Sequence, residues 1–212
     1  MDAYDVDGFD TSSRTVNRLH RSGSKAICYV NVGAWENWRP DKKKFPASVL
    51  GRNYAGWPGE KWLDIRRIKK LAPIMRARFD MCQRKGFDAI EPDNMDNYTN
   101  KTGFPIKARH QLRYNKWLAK EAHKRGLAIA LKNDPAQALQ LKRHFDFAIT
   151  EDCFDQGWCG RMSPFIKSGK AVLAAEYTDT GIKPRQFCPK TKRMKFDAIY
   201  KKRNLGAWRR GC

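Results

Sequence analysis

Glu91, Asp93 and Asp96 fall within six residues, directly after the short apolar run that starts at Phe87. Two carboxyl groups can divide the work of breaking a glycosidic bond: one protonates the leaving oxygen, and the other attacks the anomeric carbon or activates water. Carboxylates without His or Cys partners also suit magnesium or calcium, so that alternative stands beside the first. Polar groups recur after other apolar runs: Asp5, Asp7 and Asp10; Glu36; Lys132, Asn133 and Asp134; Glu151 and Asp152; Glu176 and Tyr177. Helix capping competes for such acids and suits Asp10 and Asp134, each placed ahead of a helical pattern. Glu is a poor cap, and capping does not explain Glu91 and Asp93 framing a proline. Glu91, Asp93 and Glu151 are therefore assigned to chemistry.

The elements that must present these groups read as alternating strands and helices. Strands are expected near Ala3–Asp7, Ala26–Val32, Phe87–Glu91, Leu127–Leu131, Phe147–Thr150, Ala171–Ala175 and Asp197–Tyr200. Several follow a basic turn containing glycine, the usual stop of a preceding helix. One helix is expected between Lys107 and Arg125, where Leu112, Leu118, Ala119 and Ala122 share a face. Alternation of this kind predicts an α/β fold with a parallel sheet. In a (β/α)8 TIM barrel the carboxyl ends of the strands converge on one face, where active sites sit. Acids dispersed along the chain would then be neighbours, which is why they accumulate at strand ends. With no repeat and no low-complexity linker, residues 1–212 are expected to form a single domain.

The 212 residues carry 43 Lys and Arg against 22 Asp and Glu, a formal charge of +21. That balance admits a polyanionic partner, but the cations are spread over expected outer helices and loops. They read as a solvated shell, and nucleic acid is not the expected partner. With 41% hydrophobic and 12% aromatic residues the chain is globular rather than disordered. No stretch has the roughly 18 apolar residues of a membrane span, and the amino terminus does not read as a signal peptide. Six cysteines without a CxxC pair and four scattered histidines argue against zinc. Disulfides are expected for Cys153–Cys159 and Cys188–Cys212, while Cys28 and Cys82 form either a third bridge or buried thiols. The loop from Trp35 to Arg66, with Trp35, Trp38, Trp57 and Trp62, is either a small core or a platform for sugar rings.

Together, Tyr4–Thr11 (YDVDGFDT), Ile27–Gly33 (ICYVNVG) with Glu36 and Arg39, Trp62–Arg66 (WLDIR), Gly86–Asn94 (GFDAIEPDN), Leu131–Asp134 (LKND), Thr150–Cys153 (TEDC) and Ala175–Tyr177 (AEY) resemble glycoside hydrolase family 114. The resemblance runs in order over nearly the whole chain. It implies a TIM-barrel endo-α-1,4-polygalactosaminidase that retains anomeric configuration and uses no metal or cofactor. It implies Asp93 as nucleophile and Glu151 as general acid/base. Asp7, Glu36, Glu91, Lys132, Asn133, Glu176 and Tyr177 are then candidates for binding a cationic amino-sugar polysaccharide. Family members begin with a further strand, so the barrel is expected to lack its first strand, leaving Ala3–Asp7 and Asp197–Tyr200 as exposed edges and the chain prone to aggregation. Export, common in the family, is expected here too. The rival expectation is a non-catalytic barrel that binds polyanions or carbohydrate.

Overall fold

The computed structural model describes residues 2–212 and divides the chain into two compact units, with the boundary after Ile129. The amino-terminal unit runs β1 (Ala3–Asp7), α1 (Ser13–Arg21), β2 (Lys25–Asn31), β3 (Ala34–Glu36), β4 (Leu50–Asn53), β5 (Glu60–Leu63), α2 (Ile68–Arg84), β6 (Ala89–Asp93) and α3 (Ala108–His123). β7 (Ala128–Lys132) begins in this unit and ends in the next. The carboxy-terminal unit continues with α4 (Ala138–Leu141), β8 (Phe147–Glu151), α5 (Ser163–Ile166), β9 (Val172–Tyr177), α6 (Pro184–Met194), β10 (Asp197–Lys201) and β11 (Arg209–Gly211).

All seven expected strands form, with ends displaced by no more than two residues. In the first unit β1, β2, β6 and the start of β7 pair in parallel. In the second, β7 to β10 pair in parallel, and β11 adds antiparallel to β10. The fold is thus mixed α/β with a mostly parallel eight-stranded sheet. Among the described residues its hydrogen-bonded order starts at β1 and ends at β11, so the sheet is open, consistent with the expected barrel that is short of a strand and not closed. The expected exposed edge at Asp197–Tyr200 is corrected, because β11 covers it, pairing Ile199 with Gly211 and Lys201 with Arg209. So short and cationic a strand carries little hydrophobic pattern, which is why the sequence hides it.

Local chemistry explains most boundaries. α1 is capped by Ser12, whose hydroxyl accepts the Thr15 amide, so Asp10 is not the cap. The Gly86 and Gly126 residues that end the turns after α2 and α3 have φ of 86° and 70°, the left-handed geometry that stops a helix. α3 buries Gln111, Tyr114, Asn115, Leu118, Ala119 and Ala122, the i, i+3, i+4 stripe of a half-buried helix. Leu112 lies beside that stripe and is only half-buried. Two polar members of the stripe are linked to each other and to the chain: Gln111 donates to Asn115, and Asn115 to the Met95 carbonyl. The Tyr114 hydroxyl donates to the Val32 carbonyl at 2.9 Å and so braces the exit of β2.

The loop from Trp35 to Arg66 contains a three-stranded antiparallel sheet in the order β3-β5-β4. Its tryptophans divide: Trp62 is buried against Tyr54, with ring centroids 4.1 Å apart, whereas Trp38 and Trp57 are 52% and 48% exposed. Three disulfides form: Cys28–Cys82, Cys153–Cys159 and Cys188–Cys212. The first, left open by the sequence, joins β2 to α2 between two fully buried residues. Among the described residues no helix is long and apolar enough to cross a membrane.

Candidate active site

Each unit gathers ionisable groups at the carboxyl ends of its parallel strands. In the amino-terminal unit, β6 ends in Glu91 and Asp93, two residues apart and hence on one face of the strand. Asp93 pairs in register with Asn31, and Tyr29 with Glu91. From that diagonal position the Tyr29 hydroxyl donates to Asp93 Oδ2 at 3.0 Å, and Asn94 Nδ2 lies 3.2 Å from the same oxygen. The Asp93 carbonyl is held too, by the amides of Val32 and Gly33. That approach requires glycine, since a Cβ on Gly33 would fall 1.8 Å from the Asn94 oxygen.

Around this strand end, buried acids alternate with buried guanidinium groups. Arg39 Nη2 lies 2.7 Å from Asp7 Oδ2 and 2.8 Å from Glu36 Oε1, linking the end of β1 to β3. Asp7 also accepts the amides of Phe9 and Asp10. Burial pushes the Asp7 carboxyl up, but Arg39 and these amides outweigh it and hold it below the usual range. Arg78 is 1% exposed. Its guanidinium donates twice to Asp41 and once to the Asn31 carbonyl, with Glu36 Oε2 at 3.7 Å. Phe9 is flanked by both cations, 5.0 Å from Arg39 and 5.2 Å from Arg78. Glu36 is raised, chiefly by burial. Glu60 is raised to about 7 by burial and by the charges of Glu36 and Asp93, and it accepts from Asn31 Nδ2.

In the carboxy-terminal unit, Glu151 closes β8. Lys132 Nζ, from the end of β7, lies 3.0 Å from its Oε2, and the Tyr177 hydroxyl, from the end of β9, donates to its Oε1. Asn133, at φ +50°, accepts the Glu151 amide at 2.9 Å through its side chain. Burial raises the Glu151 pKa, but the Lys132 charge and the bonds from Tyr177 and Lys132 prevail and lower it. Three of the residues singled out in the sequence therefore surround Glu151. Glu176 does not join them. Successive strand positions point to opposite faces, so while Tyr177 meets Glu151, Glu176 turns to the loop after β8 and accepts the amides of Phe154 and Asp155. Its burial is complete and raises its pKa to about 7.

The sequence missed four contributors. Glu60 carried no motif, and Tyr29, although inside the Ile27–Gly33 stretch, was not singled out. Arg78 was not singled out among the dispersed cations, although α2 buries Leu71, Ile74, Met75, Arg78, Phe79 and Cys82, a spacing that places the arginine on the inner stripe. Arg203, described below, lies in a loop. Among the described residues, one group has the geometry for a metal, Cys153, Cys159 and Glu176. Its two sulfurs are bonded to each other, and a ligand must be a thiolate.

Comparison with known proteins bears on this chemistry. The model of glycoside hydrolase family GH114 matches residues 1–212. The crystal structure of Ega3 from Aspergillus fumigatus, in complex with galactosamine, superposes with a TM-score of 0.93 at 33% identity, covering 100% of this chain and 88% of that one. The glycoside hydrolase domain of PelA from Pseudomonas aeruginosa superposes with a TM-score of 0.76 at 15% identity, covering 100% of this chain and 90% of that one; this likeness concerns the fold alone. Among curated protein sequences none matches the chain.

Proposed function

The chain belongs to glycoside hydrolase family GH114 and is a glycosidase, and from that premise we propose that it hydrolyses α-1,4-linked galactosamine and N-acetylgalactosamine polymers with retention, as one domain over residues 1–212. The observation that carries the substrate class is the galactosamine bound to Ega3, a third identical over the full length of this chain. The carboxyl groups of Asp7 and Glu91, at the ends of β1 and β6, are suited to a polymer carrying ammonium groups, through charge-assisted hydrogen bonds.

In this scheme Asp93 attacks the anomeric carbon as the bond to the leaving oxygen breaks, and Glu151 gives that oxygen its proton. Water then attacks the glycosyl ester, giving its proton to Glu151 and freeing Asp93. Tyr29 and Asn94 fix the Asp93 oxygen. Lys132 and Tyr177 hold Glu151 as a carboxylate before substrate arrives, the form needed for the second step. For the first step Glu151 must take up a proton, and exclusion of water by the bound sugar favours that change. Three disulfides fit an oxidising compartment, and we propose that the protein is exported.

Defined α-galactosamine oligomers, with and without N-acetyl groups, test the proposal when products are read by mass. Chain shortening that vanishes in Asp93→Asn and Glu151→Gln variants is the expected result. Intact oligomers with well-folded wild-type protein would contradict it.

A further inference from the structure

Arg203 lies in the loop between β10 and β11, far in sequence from every motif. Its Nε and Nη2 donate to Asp179 Oδ2 and Oδ1 at 2.9 and 3.0 Å, and its Nη1 is 2.9 Å from Asp152 Oδ2. Asp179 follows Tyr177 by two residues, and Asp152 directly follows Glu151. The same guanidinium lies 4.0 Å from the centroid of the Tyr177 ring, whose hydroxyl donates to Glu151. One cation therefore clips the end of β8 to the end of β9 and backs the phenol that bonds Glu151. A cation over a ring face is attracted by the ring quadrupole, and the two carboxylates fix the plane of the fork.

The loop is built to hold this reach. The Thr178 amide donates to the Lys201 carbonyl, Lys201 Nζ to the Gly206 carbonyl, and the Leu205 amide to the Lys202 carbonyl. Beyond the loop, β11 pairs with β10, and Cys212 is bonded to Cys188 of α6.

We propose that Arg203 is a positioning residue for glycosidic cleavage, holding the Tyr177 hydroxyl on Glu151 and placing a positive charge behind that ring. The inference rests on the proposed role of Glu151. The charged and titratable groups acting on Glu151 in this unit are Lys132 from β7, Tyr177 from β9, Arg203 from the β10–β11 loop, and Asp152 at its own strand end. Asp179, on the far side of Arg203, opposes the guanidinium charge. Removing Arg203 subtracts a cation and leaves Asp152 and Asp179 unneutralised, so the carboxyl form of Glu151 gains and its titration moves to higher pH.

The test is kinetics across pH on α-galactosamine oligomers for wild type, Arg203→Gln, Arg203→Lys, Tyr177→Phe, the Tyr177→Phe/Arg203→Gln double variant and Glu151→Gln. Arg203→Gln should lower kcat by about tenfold with little change in KM, and move the Glu151 limb of kcat/KM to higher pH. Arg203→Lys, which keeps the charge, should restore the limb more fully than it restores kcat. Added to Tyr177→Phe, the Gln substitution should cost less than about twofold further. If Glu151→Gln is inactive while Arg203→Gln keeps the wild-type limb, Arg203 serves only the loop and the inference fails alone. If Glu151→Gln remains active, the proposed role of Glu151 fails first. Should Arg203→Gln not fold, Arg203→Lys and Asp179→Asn carry the same test, with the smaller upward shift expected of Asp179→Asn deciding it and a fixed limb overturning it.

Discussion

Glu36 and Glu60 stand directly opposite each other in the antiparallel β3–β5 pair, and both are buried. Burial, reinforced by the repulsion between like charges facing each other across strands, raises the Glu60 carboxyl to about 7. The buried glutamate of the other unit, Glu176, has the same value.

Both carboxyls are raised above their unfolded values, which fixes the sign of their effect on stability. Unfolded chain releases these protons near pH 4.5, whereas folded chain keeps them to about 7. Between those limits the folded state binds more protons, so this stabilisation is full below about pH 4.5 and is lost as pH rises through 7. Each group contributes on the order of 3 kcal/mol at most. Glu121 works oppositely: burial raises it, but Arg76, Lys124 and Arg125 outweigh that and hold it at about 2. Its contribution is lost only below about pH 4.5. Denaturant unfolding should therefore show higher stability at pH 5.5 than at pH 8. Glu60→Gln and Glu176→Gln should each flatten that slope, and an unchanged slope in both would refute the assignment.

The Lys132–Glu151 ion pair sets a second pH dependence. Glu151 is held below its usual range in the free protein, so kcat/KM should fall as pH rises from the acid side if it donates the proton. Lys132→Met removes the principal cation and should move that fall to higher pH. A profile flat from acid to neutral pH, unaltered by Lys132→Met, would instead assign Glu151 to the ionised role of nucleophile.

Arg78 is a buried cation whose partners are Asp41, the Asn31 carbonyl and Glu36. Removing one member of a buried pair strands the other, at about 3–5 kcal/mol. Arg78→Met should lose stability in that range by urea unfolding. A loss below about 1 kcal/mol would show that the surrounding acids simply take up protons.

Cys188–Cys212 encloses a separation of 24 residues that includes β10 and the Arg203 loop. Cys212→Ser should lower stability by about 3 kcal/mol, read as a drop in Tm without reductant that vanishes when both proteins are reduced. Equal Tm values before reduction would mean that β11 is held by its ladder alone.

The parallel strands were legible because each is a short apolar run closed by a polar residue. The polar neighbours of Glu151 were legible for the same reason, since Lys132 and Tyr177 terminate strands and Asn133 directly follows one. β3, β4 and β5 were not, being three or four residues long within a segment rich in Pro and Gly. Glu176 and Tyr177 read alike in sequence, and only the two-residue period of the strand separates them. Arg203 left no trace, because its anchors at Asp152 and Asp179 are 51 and 24 residues away. The Asp10 cap failed for a local reason: Ser12 stands closer to the first turn and takes the Thr15 amide.

The central claim, retaining cleavage through Asp93, is tested most directly by trapping the enzyme with a slow-turnover fluorinated α-galactosaminyl donor and mapping the adduct by peptide mass spectrometry. The account predicts one galactosaminyl unit on the peptide containing Asp93, absent in Asp93→Asn. An adduct on Glu151, or none while the active enzyme releases inverted product, would contradict it.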